Sequence, residues 1–274
     1  EGWPASPRNL RDIIDMANEG DAQAQYEVGA LHLLGVGGAP KNPKLVLEWV
    51  RKAANQGHAG ALYYLGICNE EGRGLESNPT KAKELYNKAA EQGHGGAANN
   101  LGAMAETIGK SPEAVMKHYQ KAAAGGSVHG SYNLARLKET DEPPENKGEE
   151  RIELYLFAAN GGHVAAQNNL AVLRQETAKD EEGLEEAARW YRNASNQGHA
   201  DAQFNLGLMI LRGQGGLMID RKEAFVWWGR AALQDQDQAI KHLPALADQM
   251  DQEELNEGRK IIGQWENNEQ VPQL

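Results

Sequence analysis

Eight histidines and one cysteine are the residues of this chain best suited to metal binding or nucleophilic chemistry. Four histidines occupy one position of a repeated segment, so neighbouring copies should lie about 10 Å apart, too far to share a metal. We interpret these four as turn residues near helix C-termini, and we predict no metal and no cofactor. The other four show no ligand spacing. The repeated histidines are His58, His94, His163 and His199.

Cys68 is the single cysteine, which excludes an internal disulfide. No base lies at a triad-like spacing from it. We therefore predict that Cys68 is a small buried hydrophobe and not a nucleophile.

A repeated segment organises the chain. Residues 52–58, Lys-Ala-Ala-Asn-Gln-Gly-His, return 36 residues later at 88–94, and four further copies follow at intervals of 33 to 37 residues. A second motif, Leu-Gly or Leu-Ala, recurs in the same phase, and six copies of a two-part pattern predict a repeat protein. The second motif ends at Gly29, Gly66, Gly102, Ala135, Ala171 and Gly207.

Each repeat is predicted to contain two helices. Helix A carries Ala-x-x-x-Leu-Gly, as at residues 61–66, whose small side chains allow close helix packing. Glycines in the A–B loops of repeats one, two and six permit positive φ, whereas repeats three to five have shorter or charged loops, such as residues 141–146. Helix B begins at a capping residue, usually followed by Pro. These caps are Asn42, Asn78, Ser111 and Asp220, the last paired with Glu223.

Aromatic residues recur three or four positions before the central Ala of helix B. Because they keep the phase of the repeat, we predict that they pack in the core. They are Trp49, Tyr86, Tyr119, Tyr155, Trp190, Tyr191, Trp227 and Trp228.

The fold class is therefore all-α, a solenoid of about six helix-turn-helix repeats. We predict one domain over residues 1–274, with a capping helix at 8–20 and two capping helices within 236–267, because terminal repeats need a polar outer face. The net charge of −11 argues against nucleic acid as a partner. No apolar run reaches the roughly 20 residues of a membrane span, and we expect a monomer.

The repeats resemble the Sel-one-like family, a relative of the tetratricopeptide repeat. Residues 188–194 and 201–207 match its pattern almost throughout, and the resemblance covers roughly residues 8–265. It implies a right-handed superhelix with the A helices on the concave face. It also implies an adaptor or scaffold, often bacterial, and favours a periplasmic or secreted location.

One cysteine-rich branch of that family has disulfide-stapled repeats and links to β-lactam binding or hydrolysis. A single cysteine excludes the stapled architecture. Neither Ser-x-x-Lys nor Lys-Thr-Gly occurs, so the usual chemistry of that class lacks its residues. Residues 131–133, Ser-Tyr-Asn, have the form of its Ser-x-Asn element but stand alone.

The candidate binding residues lie on helix A, at two registers just before the Leu-Gly motif. Four successive repeats place an Asn at the second register, and by analogy with tetratricopeptide grooves it faces the concave channel. A primary amide donates and accepts hydrogen bonds, so an Asn ladder suits an extended peptide backbone; equally, it could bridge adjacent helices. The candidates are Tyr26, Tyr63, Tyr64, Phe204, Asn100, Asn133, Asn169 and Asn205.

Three cations accompany these residues. Arg136 and Arg174 could pair the carboxylates of a partner if they face the groove. The alternative, favoured for Lys138, is a solvated ridge that neutralises Glu139, Asp141 and Glu176.

We predict a non-enzymatic scaffold that binds a protein or an extended peptide in its concave groove. The alternatives are an immunity or inhibitor protein for a bacterial toxin and a β-lactam-binding protein. A one-to-one complex with one tight partner would favour the immunity role. An acylatable serine with a neighbouring Lys, which the sequence does not supply, would favour the β-lactam role.

Overall fold

The computed structural model describes residues 10–141 and 148–266, and all secondary structure within these two ranges is helical. This confirms the predicted all-α repeats. The A helices are α2 (Ala22–Leu34), α4 (Ala59–Glu71), α6 (Gly95–Thr107), α8 (Val128–Asp141), α10 (Val164–Thr177) and α12 (Ala200–Arg212). The B helices are α3 (Pro43–Asn55), α5 (Pro79–Glu91), α7 (Pro112–Ala124), α9 (Glu149–Asn160), α11 (Glu181–Asn196) and α13 (Arg221–Ala232).

Three further helices lie outside the six pairs. Helix α1 (Leu10–Asn18) stands alone before α2, and α14 (Asp237–Ala247) and α15 (Gln252–Glu266) follow α13. The backbone N–H of Glu254 donates to Asp251 Oδ1 at 2.8 Å, which caps the start of α15. Residues 8, 9 and 267 of the predicted capping segments, and 142–146 of the predicted loop, lie outside the described residues.

The chain forms two compact units, Glu1–Leu137 and Lys138–Leu274. In the described part of each unit, the close helix pairs are consecutive in the chain: A with B inside a repeat, and B with the next A. The exception is α15, which packs on α13. The single domain over residues 1–274 stays a prediction.

The B helices begin at the predicted caps. Asn78 Oδ1 accepts from the backbone N–H of Lys81 at 2.9 Å, and Asp220 Oδ1 accepts from Glu223 at 2.8 Å. Asn42 and Ser111 cap α3 and α7 in the same way. Each cap satisfies a backbone donor that the helix itself leaves unpaired.

The A helices begin at the repeated histidines, which corrects our interpretation of these residues. They lie just beyond the end of helix B, but each one is the N-cap of the following helix A. His58 Nδ1 accepts from the backbone N–H of Ala61 at 3.2 Å. His94, His163 and His199 accept from Ala97, Ala166 and Ala202 in the same way. In repeat four Ser127 takes this position and accepts from Gly130.

Glycines reverse the chain between the helices, as predicted for the A–B loops. Gly35 ends α2 with φ 71° and donates its N–H to the Leu31 carbonyl. Gly57, between α3 and α4, has φ 85°. A side chain would be strained at both positions, because this backbone conformation favours glycine.

In repeats two, three and six, an aromatic ring of helix B lies on the glycine of the Leu-Gly motif. A methyl group at Gly66 would lie 2.3 Å from Cε1 of Tyr86, and one at Gly102 would lie 2.5 Å from Cε1 of Tyr119. Gly207 meets Trp228 in the same way. The rings reach the A helix backbone only because no Cβ intervenes. The prediction of core packing is confirmed for Tyr86, Tyr119, Tyr155, Tyr191, Trp227 and Trp228, whereas Trp49 and Trp190 are half-buried.

We expect Gly66→Ala to lower the free energy of unfolding by about 1–3 kcal/mol, because the added methyl group displaces the buried Tyr86 ring. Gly263→Ala is the matched control: a Cβ there meets nothing within 4 Å, so helix propensity should raise stability by up to about 1 kcal/mol. Urea unfolding followed by circular dichroism measures both. Equal midpoints for the two variants would contradict the close ring contact.

Candidate partner-binding surface

The predicted binding residues lie on the A helices of both units, and all of them are half-buried. Unit 1 holds Tyr26 on α2, Tyr63 and Tyr64 on α4, Asn100 on α6 and Asn133 on α8. Unit 2 holds Asn169 on α10, and Asn205 and Phe204 on α12. Within each unit, we call these residues the A-helix face.

In unit 1 the asparagines bridge neighbouring elements. The Asn133 amide donates to Asn99 Oδ1 at 2.9 Å, which joins α8 to α6. Asn100 hydrogen-bonds the hydroxyl of Tyr86, whose pKa rises because the ring is buried and because the hydroxyl donates to Glu70 at 2.6 Å. The bridging role that we considered for these residues is therefore present between α6 and α8.

In unit 2 the asparagines differ from one another. The Asn169 amide donates to the Tyr155 hydroxyl at 3.3 Å, and its own Oδ1 accepts from Asn168. The side chain of Asn205 makes no hydrogen bond within the described residues. The amides thus keep donors and acceptors that a peptide backbone could use.

Tyr26 and Tyr63 of unit 1 pack against the histidine caps in a tilted arrangement. The ring centroids of Tyr26 and His58 lie 4.5 Å apart, and those of Tyr63 and His94 lie 4.4 Å apart. Burial raises the pKa of Tyr26 to about 12. One face of each of these rings is therefore already used in contact with the next repeat.

The remaining aromatic candidates also have intramolecular partners. Phe204 stacks on Trp228 at 5.2 Å and lies 6.4 Å from His242. Tyr64 hydrogen-bonds Cys68, and burial raises the pKa of the Tyr64 hydroxyl to about 12. Burial also raises the pKa of the Cys68 thiol, which confirms that this cysteine is a buried hydrophobe.

The three predicted cations each pair with a carboxylate of the chain. Arg136 contacts Glu106 at 2.6 Å, and Lys138 contacts Glu150 at 2.7 Å. Arg174 lies 3.0 Å from Glu186. None of these acids is Glu139, Asp141 or Glu176, the acids of the solvated-ridge alternative; each cation pairs with an acid on another helix.

Glu106 joins two elements at once. It accepts from the Tyr119 hydroxyl at 2.8 Å and pairs with Arg136. The Arg136 guanidinium, and to a lesser extent Tyr119, holds the pKa of this carboxyl below its usual range. This contact secures α7 and α8 to α6.

A glutamine network connects the repeats, and our sequence reading missed it. The Gln203 amide is 1% exposed; it donates to the Ser195 carbonyl at 3.1 Å and accepts from Gln234 at 2.9 Å. Gln167 with Gln197 and Gln25 with Gln56 repeat the arrangement. The recurrent Ala-Gln on helix A and the Gln after helix B were the signal. Buried amides satisfied in this way fix the spacing of successive repeats.

The β-lactam, metal-binding and membrane-spanning possibilities can be compared with the geometry of the described residues. Ser131, the isolated serine of the Ser-Tyr-Asn element, is 2% exposed. Among the described residues, no group of three His, Cys, Asp or Glu side chains could hold a metal ion. The same residues contain no helix long and apolar enough to cross a membrane. The predictions of no metal and no cofactor stay predictions.

Five segments match the family model described as the Sel1 repeat: residues 22–58, 59–94, 97–127, 164–199 and 200–236. Together they cover well over half of the chain. The chain belongs to the Sel1 repeat family. Proteins of this family are generally protein-interaction scaffolds. No curated protein matches the chain.

Solved structures show the same fold. A protective antigen of uropathogenic Escherichia coli is 23% identical with a TM-score of 0.65; the alignment covers 95% of this chain but only 64% of that one. A Sel1 repeat protein of Oxalobacter formigenes is 24% identical with a TM-score of 0.60, over 82% of this chain and 97% of that one. At these identities the likeness concerns the fold alone.

The histidine caps should make stability depend on pH. Because Nδ1 of His58 accepts a backbone bond, the neutral ring carries its proton on Nε2, which donates to Gln23 Oε1 at 2.8 Å. Burial, aided by His94, lowers the pKa of His58 despite Asp21 and Glu27, and burial lowers that of His199 despite Asp201. As the pH falls, these histidines therefore bind protons at a higher pH in the unfolded chain than in the folded chain. Stability is complete above about pH 6.5 and falls as the pH drops towards the folded pKa.

We expect the variant His58→Asn/His199→Asn to lose less stability than the wild type between about pH 7.5 and pH 5.5, because Asn caps a helix without titrating. Thermal unfolding at both pH values measures this difference. His129→Asn changes an exposed histidine on α8 and should behave as the wild type. An unchanged pH dependence in the double variant would contradict the role of the caps.

Proposed function

We propose that this Sel1 repeat protein is a non-enzymatic scaffold that binds an extended segment of a partner protein along its A-helix face. The observation that carries the proposal is the hydrogen-bonding capacity left on that face. An amide side chain offers two donors and two acceptor sites. Within the described residues, Asn133 uses one donor and Asn205 uses none.

The arrangement suits a peptide backbone better than a small substrate. Asn99, Asn100 and Asn133 lie on neighbouring helices of unit 1, so their polar atoms are spread along a surface and not collected in a cleft. Half-buried tyrosines flank them on α2 and α4. Such a surface binds main-chain groups while reading little of the sequence.

The absence of catalysis is part of the proposal. The thiol of Cys68 is buried with a raised pKa, and Ser131 is buried as well. The repeated histidines accept backbone hydrogen bonds as caps, which leaves Nδ1 unavailable as a base. These contacts support a binding protein in preference to a hydrolase.

A photo-cross-linking amino acid at Ala103, exposed on α6, should capture the partner from a lysate of the source organism. The same group at Asn193, exposed on helix B α11 of unit 2, is the matched control. Capture from position 103 alone, identified by mass spectrometry, supports binding on the A-helix face. Capture only from position 193 contradicts it.

With the partner identified, Asn100→Ala/Asn133→Ala should weaken binding about tenfold, because each lost hydrogen bond contributes about 0.5–1.5 kcal/mol. Titration calorimetry measures the affinities, after circular dichroism shows that helicity is retained. Asn87→Ala/Asn193→Ala removes two exposed B-helix amides and should leave the affinity unchanged. Equal affinity for both variants would make the A-helix asparagines purely structural.

A further inference from the structure

The B helices of unit 1 present a basic surface in an acidic protein. Helices α3, α5 and α7 together carry eight Lys and Arg residues against four Glu. In unit 2, α9 and α11 show the opposite balance, with seven Glu against three Arg. We call the outward side of α3, α5 and α7 the basic face. Its cations are all exposed: Lys44, Arg51, Lys52, Lys81, Lys83, Lys88, Lys117 and Lys121.

Most of these cations have no carboxylate partner. Lys52 pairs with Glu48 at 3.2 Å, and Lys81 pairs with Glu84 at 2.8 Å. Within the described residues, no carboxylate lies within ion-pair distance of the other six. The face therefore keeps a positive charge that the protein does not neutralise, whereas Arg136, Lys138 and Arg174 on the A helices are each paired with a carboxylate.

Two grooves concentrate this charge. The first, of about 700 Å³, lies between α3 and α5 and is lined by Arg51, Lys81 and Lys88. Its walls also include amide side chains, Asn55 and Asn69, which can hydrogen-bond a ligand. Glu76 is the one acidic residue lining it.

The second groove, of about 690 Å³, lies along α7 and is lined by Lys117, His118 and Lys121, with Glu113 at its edge. Burial lowers the pKa of His118, and Lys121 of α7 and Lys83 of α5 lower it further. Lys83 therefore adds its field to this groove from the neighbouring helix, so the positive potential extends from α5 to α7.

We propose that the basic face of unit 1 binds an acidic segment of a partner protein, whose carboxylates enter the two grooves. The first groove combines cations with amide and leucine side chains, as at Asn69, Leu75 and Leu85, and the second combines Lys117 and Lys121 with the amide of Gln120. Side chains of a peptide fit such a surface, whereas a flat bilayer does not. The acidic remainder of the chain repels nucleic acid. This site is separate from the A-helix face and does not depend on it.

The probe for the test is a fluorescent peptide of alternating Glu and Gly. Neighbouring helices lie about 10 Å apart and an extended chain rises about 3.3 Å per residue, so a peptide of about twelve residues spans both grooves. Fluorescence anisotropy at low ionic strength measures its binding to the full chain, because exposed charge pairs are screened by salt.

The test variant is Arg51→Gln/Lys88→Gln/Lys117→Gln/Lys121→Gln. The control, Lys179→Gln/Arg189→Gln/Lys241→Gln/Lys260→Gln, removes the same charge from exposed residues of unit 2. Because Gln keeps helix propensity, both variants should fold. We expect the test variant to bind the peptide at least about tenfold more weakly, and the control to lose less than about twofold.

Equal losses in the two variants would overturn the proposal, because net charge alone would then explain binding. A wild-type chain that does not bind the peptide at low salt would overturn it as well. So would tighter binding of anionic phospholipid vesicles or duplex DNA that the same four substitutions abolish. The Asn100→Ala/Asn133→Ala variant should bind the peptide like the wild type. The test of the basic face is therefore independent of whether a partner binds the A-helix face.

Discussion

The packing of repeats two, three and six depends on one contact, the approach of a helix B ring to a helix A backbone that lacks a Cβ. Tyr86 over Gly66 and Tyr119 over Gly102 set the distance between the helices of a repeat. Both ring hydroxyls then reach acids of the same A helix, Glu70 and Glu106. A larger residue in place of the glycine would move the ring, and the ring hydroxyl would then no longer donate its hydrogen bond to the acid. Packing and polar contacts are therefore coupled through the same side chain.

The period, the helix pairs, the Pro-containing caps and the ring packing could all be predicted from the sequence, because each depends on residues close together in the chain. The role of the histidines could not. His58 follows helix B directly, and residue order alone does not show which helix end its ring satisfies. That choice depends on the turn at Gly57, which directs Nδ1 towards the Ala61 N–H.

The contacts between repeats were less predictable for a different reason. Gln203 and Gln234 are 31 residues apart, and Arg136 and Glu106 are 30 apart. Such pairs depend on the rotation of each helix about its axis, which a motif fixes only approximately. The basic face was hidden for a related reason: a net charge of −11 averages over the chain and says nothing of how charge divides between helices. Its recognition required knowing which side chains of α3, α5 and α7 face outward.

The nearly exclusive packing of each described helix on its neighbours in the chain has a mechanical consequence. A pull on the ends of such a unit loads the contacts in series, so the weakest repeat yields first and the others keep their structure. Each repeat of about 36 residues would then release on the order of 120 Å of extended chain. A protein built in this way lengthens in steps under tension, while the binding surfaces of the intact repeats stay folded.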